Sequence, residues 1–127
     1  MNAFAQRLRG GLRKLDGVME SAGAFREGDA FWVNGKEIAH FHGEHAIELR
    51  LTKPEISARR GELRADPRVE LRAGSSDWIT VRFATMRDVA KVLDLAEVAA
   101  QAHRPPRGVP ARPPPVGAAL ERRRRFH

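Results

Sequence analysis

The chain has 127 residues, a length that suits one domain with a single hydrophobic core. A chain without cysteine forms neither a disulfide framework nor a thiolate metal centre, so its composition excludes both. The net charge of +7 is unevenly placed, because residues 104–127 carry seven arginines and one glutamate, whereas residues 1–103 are close to neutral. The basic charge therefore belongs to the C-terminal tail and does not indicate a nucleic-acid-binding face on the domain.

Two kinds of targeting segment are not expected. No apolar run approaches the roughly 18–20 residues that a helix needs to cross a bilayer. The opening residues, Met-Asn-Ala-Phe-Ala-Gln-Arg, turn charged too early for a secretory signal. The absence of cysteine permits a reducing compartment, and we predict a cytoplasmic protein.

The N-terminal segment has the periodicity of an amphipathic helix. Its apolar residues recur at steps of three and four, which places them in one stripe on a helix. The stripe consists of Phe4, Leu8, Leu12, Leu15, Met19 and Ala22. We predict a helix that ends at Gly23 and is weakened near Gly10 and Gly11, because each glycine costs up to ~1 kcal/mol relative to alanine.

From Asp29 the pattern changes to short strands joined by tight turns. Residues 31–33 are strong strand formers, and Asn34-Gly35 supplies the positive φ angles of a two-residue type I′ hairpin turn. A second strand is expected at 36–42 and a third at 46–51. This meander also holds His40, His42 and His45.

The rest of the domain is predicted to form a helix, a hairpin and a closing helix. These elements are expected at 52–65, 68–73, 78–83 and 85–103. Thr52 and Thr85 are the predicted N-caps of the two helices. The order α-βββ-α-ββ-α indicates an α+β fold, with an antiparallel sheet of about five strands and helices on one face. Residues 1–103 are predicted to form this single domain.

Residues 104–127 have the composition of an extended tail. Six of the eight prolines lie between positions 105 and 115, and few residues there can fill a core. We predict that this Pro/Arg-rich tail is disordered. Its basic end would make weak, non-specific contact with anions or nucleic acid through Arg122, Arg123, Arg124 and Arg125. Such charge clusters are more often simply solvated.

The length of the second turn decides which way the histidines face. A two-residue turn at Gly43-Glu44 pairs His42 with His45 and puts the histidines on the apolar face. A three-residue turn pairs His40 with Glu48 instead, because a slip of one residue moves a strand's side chains to the opposite face. We prefer the three-residue turn because it sorts the residues by chemistry. One face then holds Ala39, Phe41, Ile47, Leu49 and Leu51. The other holds His40, His42, Glu48 and Arg50, with Phe31, Val33 and Ile38 further along the same side.

Four short motifs stand in order along the predicted domain. They are Gly-Lys-Glu-Ile-Ala-His-Phe-His-Gly-Glu at residues 35–44, Ile-Glu-Leu-Arg-Leu at 47–51, Ser-Asp-Trp-Ile at 76–79 and Asp-Val at 88–89. The series resembles the small luciferase-domain family, bacterial proteins grouped with the luciferases of luminous fungi. The resemblance covers about residues 31–102, and the turn at 43–45 departs from the Asp-Gly-like turn of the family.

The resemblance implies a chemistry and a set of site residues. The fungal members oxidise a hydroxylated pyrone with O₂, without flavin, ATP or a bound metal, so the family implies no cofactor and no metal. The residues that match its motif positions are His40, His42, Glu48, Arg50, Asp77 and Trp78.

The residues themselves favour acid–base chemistry. His40 and His42 are two apart on a strand, so their rings project on the same side. An imidazole can accept a substrate proton, Arg50 can hold an enolate or carboxylate, and Glu48 can orient a histidine. These four are the candidate catalytic residues. Trp78 and Asp77 are candidate ligand contacts, as a pocket wall and a polar anchor.

Two plainer alternatives stand beside this interpretation. His40, His42 and Glu48 could instead bind Zn²⁺ as three protein ligands with an open fourth position. The strip could also be a solvated strand with incidental cross-strand pairs, in which Asp77 only bonds its own turn.

We therefore consider two hypotheses about function. In the first, a luciferase-like domain binds a small organic ligand at the His/Glu/Arg strip and has a cofactor-independent, oxygenase-type activity. In the second, the domain is a non-enzymatic binding or adaptor module whose Pro/Arg-rich tail contacts an acidic or protein partner.

Overall fold

The computed structural model describes residues 1–25 and 28–126. Within these ranges the chain forms five helices and one antiparallel sheet of six strands. The elements in chain order are α1 (Ala3–Arg13), β1 (Met19–Ala22), β2 (Asp29–Val33), β3 (Lys36–Phe41), β4 (Ala46–Arg50), α2 (Lys53–Ala58), α3 (Arg60–Ala65), β5 (Val69–Leu71), β6 (Trp78–Arg82), α4 (Met86–His103) and α5 (Gly117–Phe126). The predicted α+β class with an antiparallel sheet is confirmed.

The sheet has the strand order β1-β2-β3-β4-β6-β5. One face packs against α1 and α4, and that layer forms the hydrophobic core. Its central residues are Leu8, Leu12, Phe31, Ile47, Leu49, Ile79, Val81, Val92 and Ala96. We call the opposite face of the sheet the outer face. None of the helices in the described part of the chain is long and apolar enough to cross a membrane.

The N-terminal prediction is half confirmed. Helix α1 buries Ala5, Leu8 and Leu12 but ends at Arg13, ahead of the predicted stop at Gly23. Gly17 then adopts a φ of 79°, a left-handed conformation that ends helical geometry at little cost for glycine. The following residues form the edge strand β1, which pairs with β2, so Met19 belongs to a strand and is 53% exposed. Backbone pairing with β2 outweighs the apolar periodicity that predicted a longer helix.

The elements after the meander follow the prediction closely. The helix expected at 52–65 is divided at Arg59 into α2 and α3, and the Thr52 hydroxyl accepts from the backbone N–H of Glu55 at 3.4 Å. Strands β5 and β6 form the second hairpin. Helix α4 begins after Thr85, whose hydroxyl accepts from the backbone N–H of Asp88 at 3.1 Å.

The C-terminal segment differs from the extended tail that its composition predicts. Residues 117–126 form α5, and its Leu120 is buried against Ala30 and Trp32 on the outer face. Arg124 donates to the carbonyl of Gly23 at 3.1 and 3.2 Å, which anchors the helix further. Trp32 is a large apolar surface that a helix can cover, and composition alone does not reveal it. His127, the last residue of the predicted tail, lies outside the described residues.

Candidate functional site

The predicted register of β3 and β4 across the turn at residues 43–45 is confirmed. His40 lies opposite Glu48 and Phe41 opposite Ile47, so the turn holds three residues. The backbone N–H of His42 donates to the carbonyl of Ala46 at 2.9 Å and closes that turn. His40 and Glu48 therefore project from the outer face, while Ile47 packs into the core.

The neighbouring pair, β2 and β3, contains a β-bulge that regular strand alternation does not predict. Phe31 lies opposite Ala39, but the next residue, Trp32, lies opposite Glu37, so Ile38 is the extra residue. Strict alternation predicted that Phe31, Val33 and Ile38 share the side of His40. That prediction is wrong, because all three side chains pack in the hydrophobic core. The bulge turns Glu37 onto the outer face beside His40.

Three side chains on the outer face form what we call the buried triad: Glu37, His40 and Glu48. They are 1%, 4% and 6% exposed, respectively. Nδ1 of His40 lies 2.7 Å from Oε2 of Glu37, and Nε2 lies 2.6 Å from Oε1 of Glu48. The other carboxylate oxygen of Glu37 accepts from the backbone N–H of Ala24 at 2.6 Å. Both ring nitrogens of His40 are thus occupied by carboxylates.

Hydrogen bonds offset the burial of the Glu48 carboxylate. His40 contacts Oε1 of Glu48, and Arg72 donates to Oε2 from the far side of the triad, so a basic side chain lies at each oxygen. Burial raises the pKa of Glu48, but hydrogen bonds from His40 and Arg72 outweigh it and bring that pKa to about 2.

Aromatic rings enclose the imidazole of His40. Its centroid lies 6.1 Å from that of Phe25 and 4.9 Å from that of Trp78. The guanidinium of Arg50 lies over both aromatic rings, 5.9 Å from the Phe25 centroid and 5.6 Å from the Trp78 centroid. His40 is therefore held in place rather than open to solvent. The side chain of His42 is instead 52% exposed, with Nδ1 3.7 Å from Oε1 of Glu48.

Asp77 hydrogen-bonds to the short segment that follows β4 and begins α2. Its carboxylate accepts from the backbone N–H of Lys53 and its carbonyl from that of Thr52, both at 3.0 Å. Thr52 has a φ of 87°, which is rare for a β-branched residue, and these bonds hold it there. The carboxylate of Asp77 lies 3.9 Å from the guanidinium of Arg50. Ligand contact by Asp77 and Trp78 stays a prediction.

The predicted catalytic strip opens into two separate concavities. The first, which we call the outer cleft, has a volume of about 210 Å³. Its lining includes Phe25, Trp32, Lys36, Glu37, Arg50 and Arg123. The second, which we call the lateral groove, has a volume of about 520 Å³ and contains His42 and Glu48. The structure thus assigns Arg50 and His42 to different openings, with His40 buried between them.

Several residues of this site were not found from the sequence. Glu37 and His40 are three apart, and regular alternation puts such residues on opposite faces of a strand. Phe25, Arg72 and Arg123 reach the site from distant parts of the chain, so no local spacing signals them. Trp32 was recognised only as a strand former.

His40, His42 and Glu48, the ligands of the zinc alternative, are not arranged to bind a metal ion. Among the described residues, no group of three or more His, Cys, Asp or Glu side chains is placed to hold a metal ion. In the zinc alternative, His40 would have to be a ligand, but its two nitrogens face carboxylate oxygens at hydrogen-bond distance.

Comparisons with known proteins give one match. The sequence model of the Luciferase domain family matches residues 35–99, just over half of the chain. No curated protein and no solved structure matches. The matched range contains the bulged strand, the triad, Arg50 and the hairpin that carries Trp78. It agrees with the family resemblance of the motifs, while the bacterial subgroup stays a prediction. The chain belongs to the Luciferase domain family.

Proposed function

We propose that this Luciferase domain protein binds a small organic ligand in the outer cleft and removes a proton from it. This transfer would be the first step of an oxygenase-type reaction that needs no bound cofactor. The observation that carries the proposal is the convergence of Arg50, an aromatic wall and Glu37 on one cleft, with the buried triad behind it.

Arg50 is the anion-stabilising group of the proposal. Its guanidinium lies over the rings of Phe25 and Trp78, and these contacts restrict the side chain before a ligand arrives. A guanidinium held in a partly apolar cleft stabilises an enolate or carboxylate more strongly than one in bulk water. Lys36 also lines the cleft, and its charge adds to this positive potential.

Glu37 is the proton acceptor of the proposal, and His40 is a positioning residue. A proton leaves the ligand for a carboxylate oxygen of Glu37, and the electron pair of the broken bond stays on the ligand as an enolate. Arg50 stabilises that negative charge. Dioxygen, the co-reactant, then accepts electrons from the enolate carbon as the carbon–oxygen bond forms. His40 and Glu48 keep the Glu37 carboxylate in place throughout.

This assignment changes the roles that the sequence suggested. His40 was expected to accept the substrate proton, but it does not line the outer cleft, whereas Glu37 does. Each carboxylate oxygen of Glu37 also keeps a second lone pair that can accept a proton. His42 faces the lateral groove, away from Arg50. We assign Glu48 the role of orienting His40, because Oε1 of Glu48 lies 2.6 Å from Nε2 of that ring.

Native mass spectrometry of protein isolated from its own source tests the proposal. We expect a bound small molecule on the wild-type protein, loss of that molecule in Arg50→Gln, and retention in Arg82→Gln. Arg82 is a matched control because its exposed side chain lies on the outer face but away from the cleft. With the identified compound, exchange of its acidic hydrogen for deuterium should be fast on wild type and at least ~10²-fold slower on Glu37→Gln. Equal retention by both arginine variants, or equal exchange by Glu37→Gln, contradicts the proposal.

A further inference from the structure

We propose that the ligand of the outer cleft is a single-ring aromatic acid with a second oxygen that accepts a hydrogen bond from Trp32. This inference rests on the proposed function, because it names the chemical class of compound that would occupy the same cleft. It is carried by the volume of the cleft, by the charge of its lining and by a buried donor that has no partner among the described residues.

The volume of the cleft sets the size of the compound. An apolar protein cavity of about 150 Å³ holds one benzene molecule. The outer cleft, at about 210 Å³, therefore holds one six-membered ring with one or two small substituents. Phe25 and Trp32 contribute flat surfaces to the lining, and flat surfaces favour a planar ring.

The charge of the lining selects an anion. Among the described lining residues, Lys36, Arg50 and Arg123 are basic and Glu37 is acidic. Glu37 is already hydrogen-bonded to His40, which leaves positive potential over the rest of the cleft. A carboxylate is the planar anion that a guanidinium binds best, through two parallel N–H···O bonds.

The third observation is the buried indole N–H of Trp32. The side chain is 1% exposed and lines the cleft, and its Nε1–H has no hydrogen-bond partner among the described residues. Buried donors in proteins are nearly always satisfied, and an unsatisfied one is destabilising. A hydroxyl, carbonyl or carboxylate oxygen on the bound ring would accept this hydrogen bond. An indole N–H donates and never accepts, so the partner atom must be an acceptor.

Two-dimensional ¹H–¹⁵N NMR tests this class directly. The chain has two tryptophans, so the indole region contains two N–H signals, and Trp32→Phe assigns them. The probes are benzoate, 4-hydroxybenzoate and 4-hydroxyphenylacetate, with 4-hydroxybenzamide as the uncharged counterpart. We expect at least one acid to move the Trp32 indole N–H signal downfield and to bind at least tenfold more tightly than the amide. Arg50→Gln should weaken that acid at least tenfold, and Arg82→Gln should leave its affinity unchanged.

The outcomes separate this inference from the proposed function. Binding of the amide as tightly as the acid, binding that leaves the Trp32 indole signal in place, or no binding by any of the three acids overturns the inference. The proposed function still stands in each case if native mass spectrometry finds another compound that depends on Arg50. If no compound depends on Arg50, both are wrong. Trp32→Phe keeps an aromatic ring at this position. If that variant folds poorly, the response of the indole N–H signals in the wild-type protein still decides the outcome.

Discussion

Replacing Glu48 with glutamine removes one negative charge from the middle of the buried triad. In the folded protein the carboxylate accepts hydrogen bonds from His40 and Arg72 and is 6% exposed. These bonds outweigh burial and lower its pKa from 4.5 to about 2. At 1.36 kcal/mol per pKa unit, that difference corresponds to about 3 kcal/mol of stability at neutral pH. Arg72 is partly exposed and solvent screens its share, so we expect Glu48→Gln to cost about 2–3 kcal/mol.

The loss of stability caused by Glu48→Gln should become smaller as the pH falls. A carboxylate whose pKa falls on folding stabilises the folded state only while it is ionised. The stabilisation by Glu48 is therefore complete above its ordinary pKa of 4.5 and disappears as the pH falls toward about 2. At pH 3 more than half of the difference between wild type and Glu48→Gln should be gone.

Urea unfolding, followed by circular dichroism at pH 7, 4 and 3, measures the effect. Glu70→Gln is the matched control, since its side chain is 66% exposed and pairs with Arg82 at 3.6 Å on the same face. We expect the control to change stability by no more than about 0.5 kcal/mol at any pH. A loss for Glu48→Gln that is equal at pH 7 and pH 3, or no larger than that of the control, refutes the electrostatic account of the triad.

Three further predictions concern stability and the C-terminal helix. His40→Ala should cost about 3–5 kcal/mol, because it removes the side chain that hydrogen-bonds to two buried carboxylates, whereas His42→Ala should cost less than about 1 kcal/mol; thermal unfolding compares them. Gly10→Ala should stabilise the protein by about 0.5–1 kcal/mol in urea unfolding, since nothing lies within 4 Å of the added Cβ. Gly11→Ala should gain little, because its Cβ would lie 2.7 Å from a leucine methyl of α4. Leu120→Ser should detach α5 and speed backbone hydrogen exchange in that helix.

Each of these predictions has a result that contradicts it. Similar losses for His40→Ala and His42→Ala would mean that the triad adds nothing beyond an ordinary surface pair. A gain for Gly11→Ala equal to that of Gly10→Ala would mean that α1 and α4 pack less closely than described. For α5 the control is Val116→Ser, at a site that is 70% exposed. Equal exchange in the Leu120 and Val116 variants would mean that burial of Leu120 does not hold the helix.

The hairpin register was predictable because local chemistry determines it. Asn34 and Gly35 both have positive φ angles, of 51° and 74°, as a type I′ turn requires. At the second turn, only a three-residue loop separates the apolar side chains of β4 from the polar ones. In that register His40 lies opposite Glu48, and the structure confirms the pairing.

The bulge at Ile38 was not predictable from alternation. Both Ile38 and Ala39 pack into the core, although consecutive strand residues normally face opposite sides. Nothing in the local sequence distinguishes this extra residue from a regular strand position. Its consequence is large, because the bulge brings Glu37 onto the outer face and makes it, rather than His40, the acidic group that lines the cleft.

The remaining parts of the site depend on tertiary contacts. Leu120 lies in a segment whose composition predicts disorder, and it is buried against Ala30 and Trp32, which are distant from it in the sequence. Phe25 packs against Trp78, with centroids 5.1 Å apart, although more than fifty positions separate them. A single sequence shows which side chains are suited to chemistry. It does not show which distant side chains enclose them.

A crystal structure of the protein isolated with its bound compound tests the central claim most directly. We predict density for a small molecule in the outer cleft, with an oxygen at the guanidinium of Arg50 and the ring against Phe25 and Trp32. Density in the lateral groove beside His42, with the outer cleft filled only by solvent, would contradict the account.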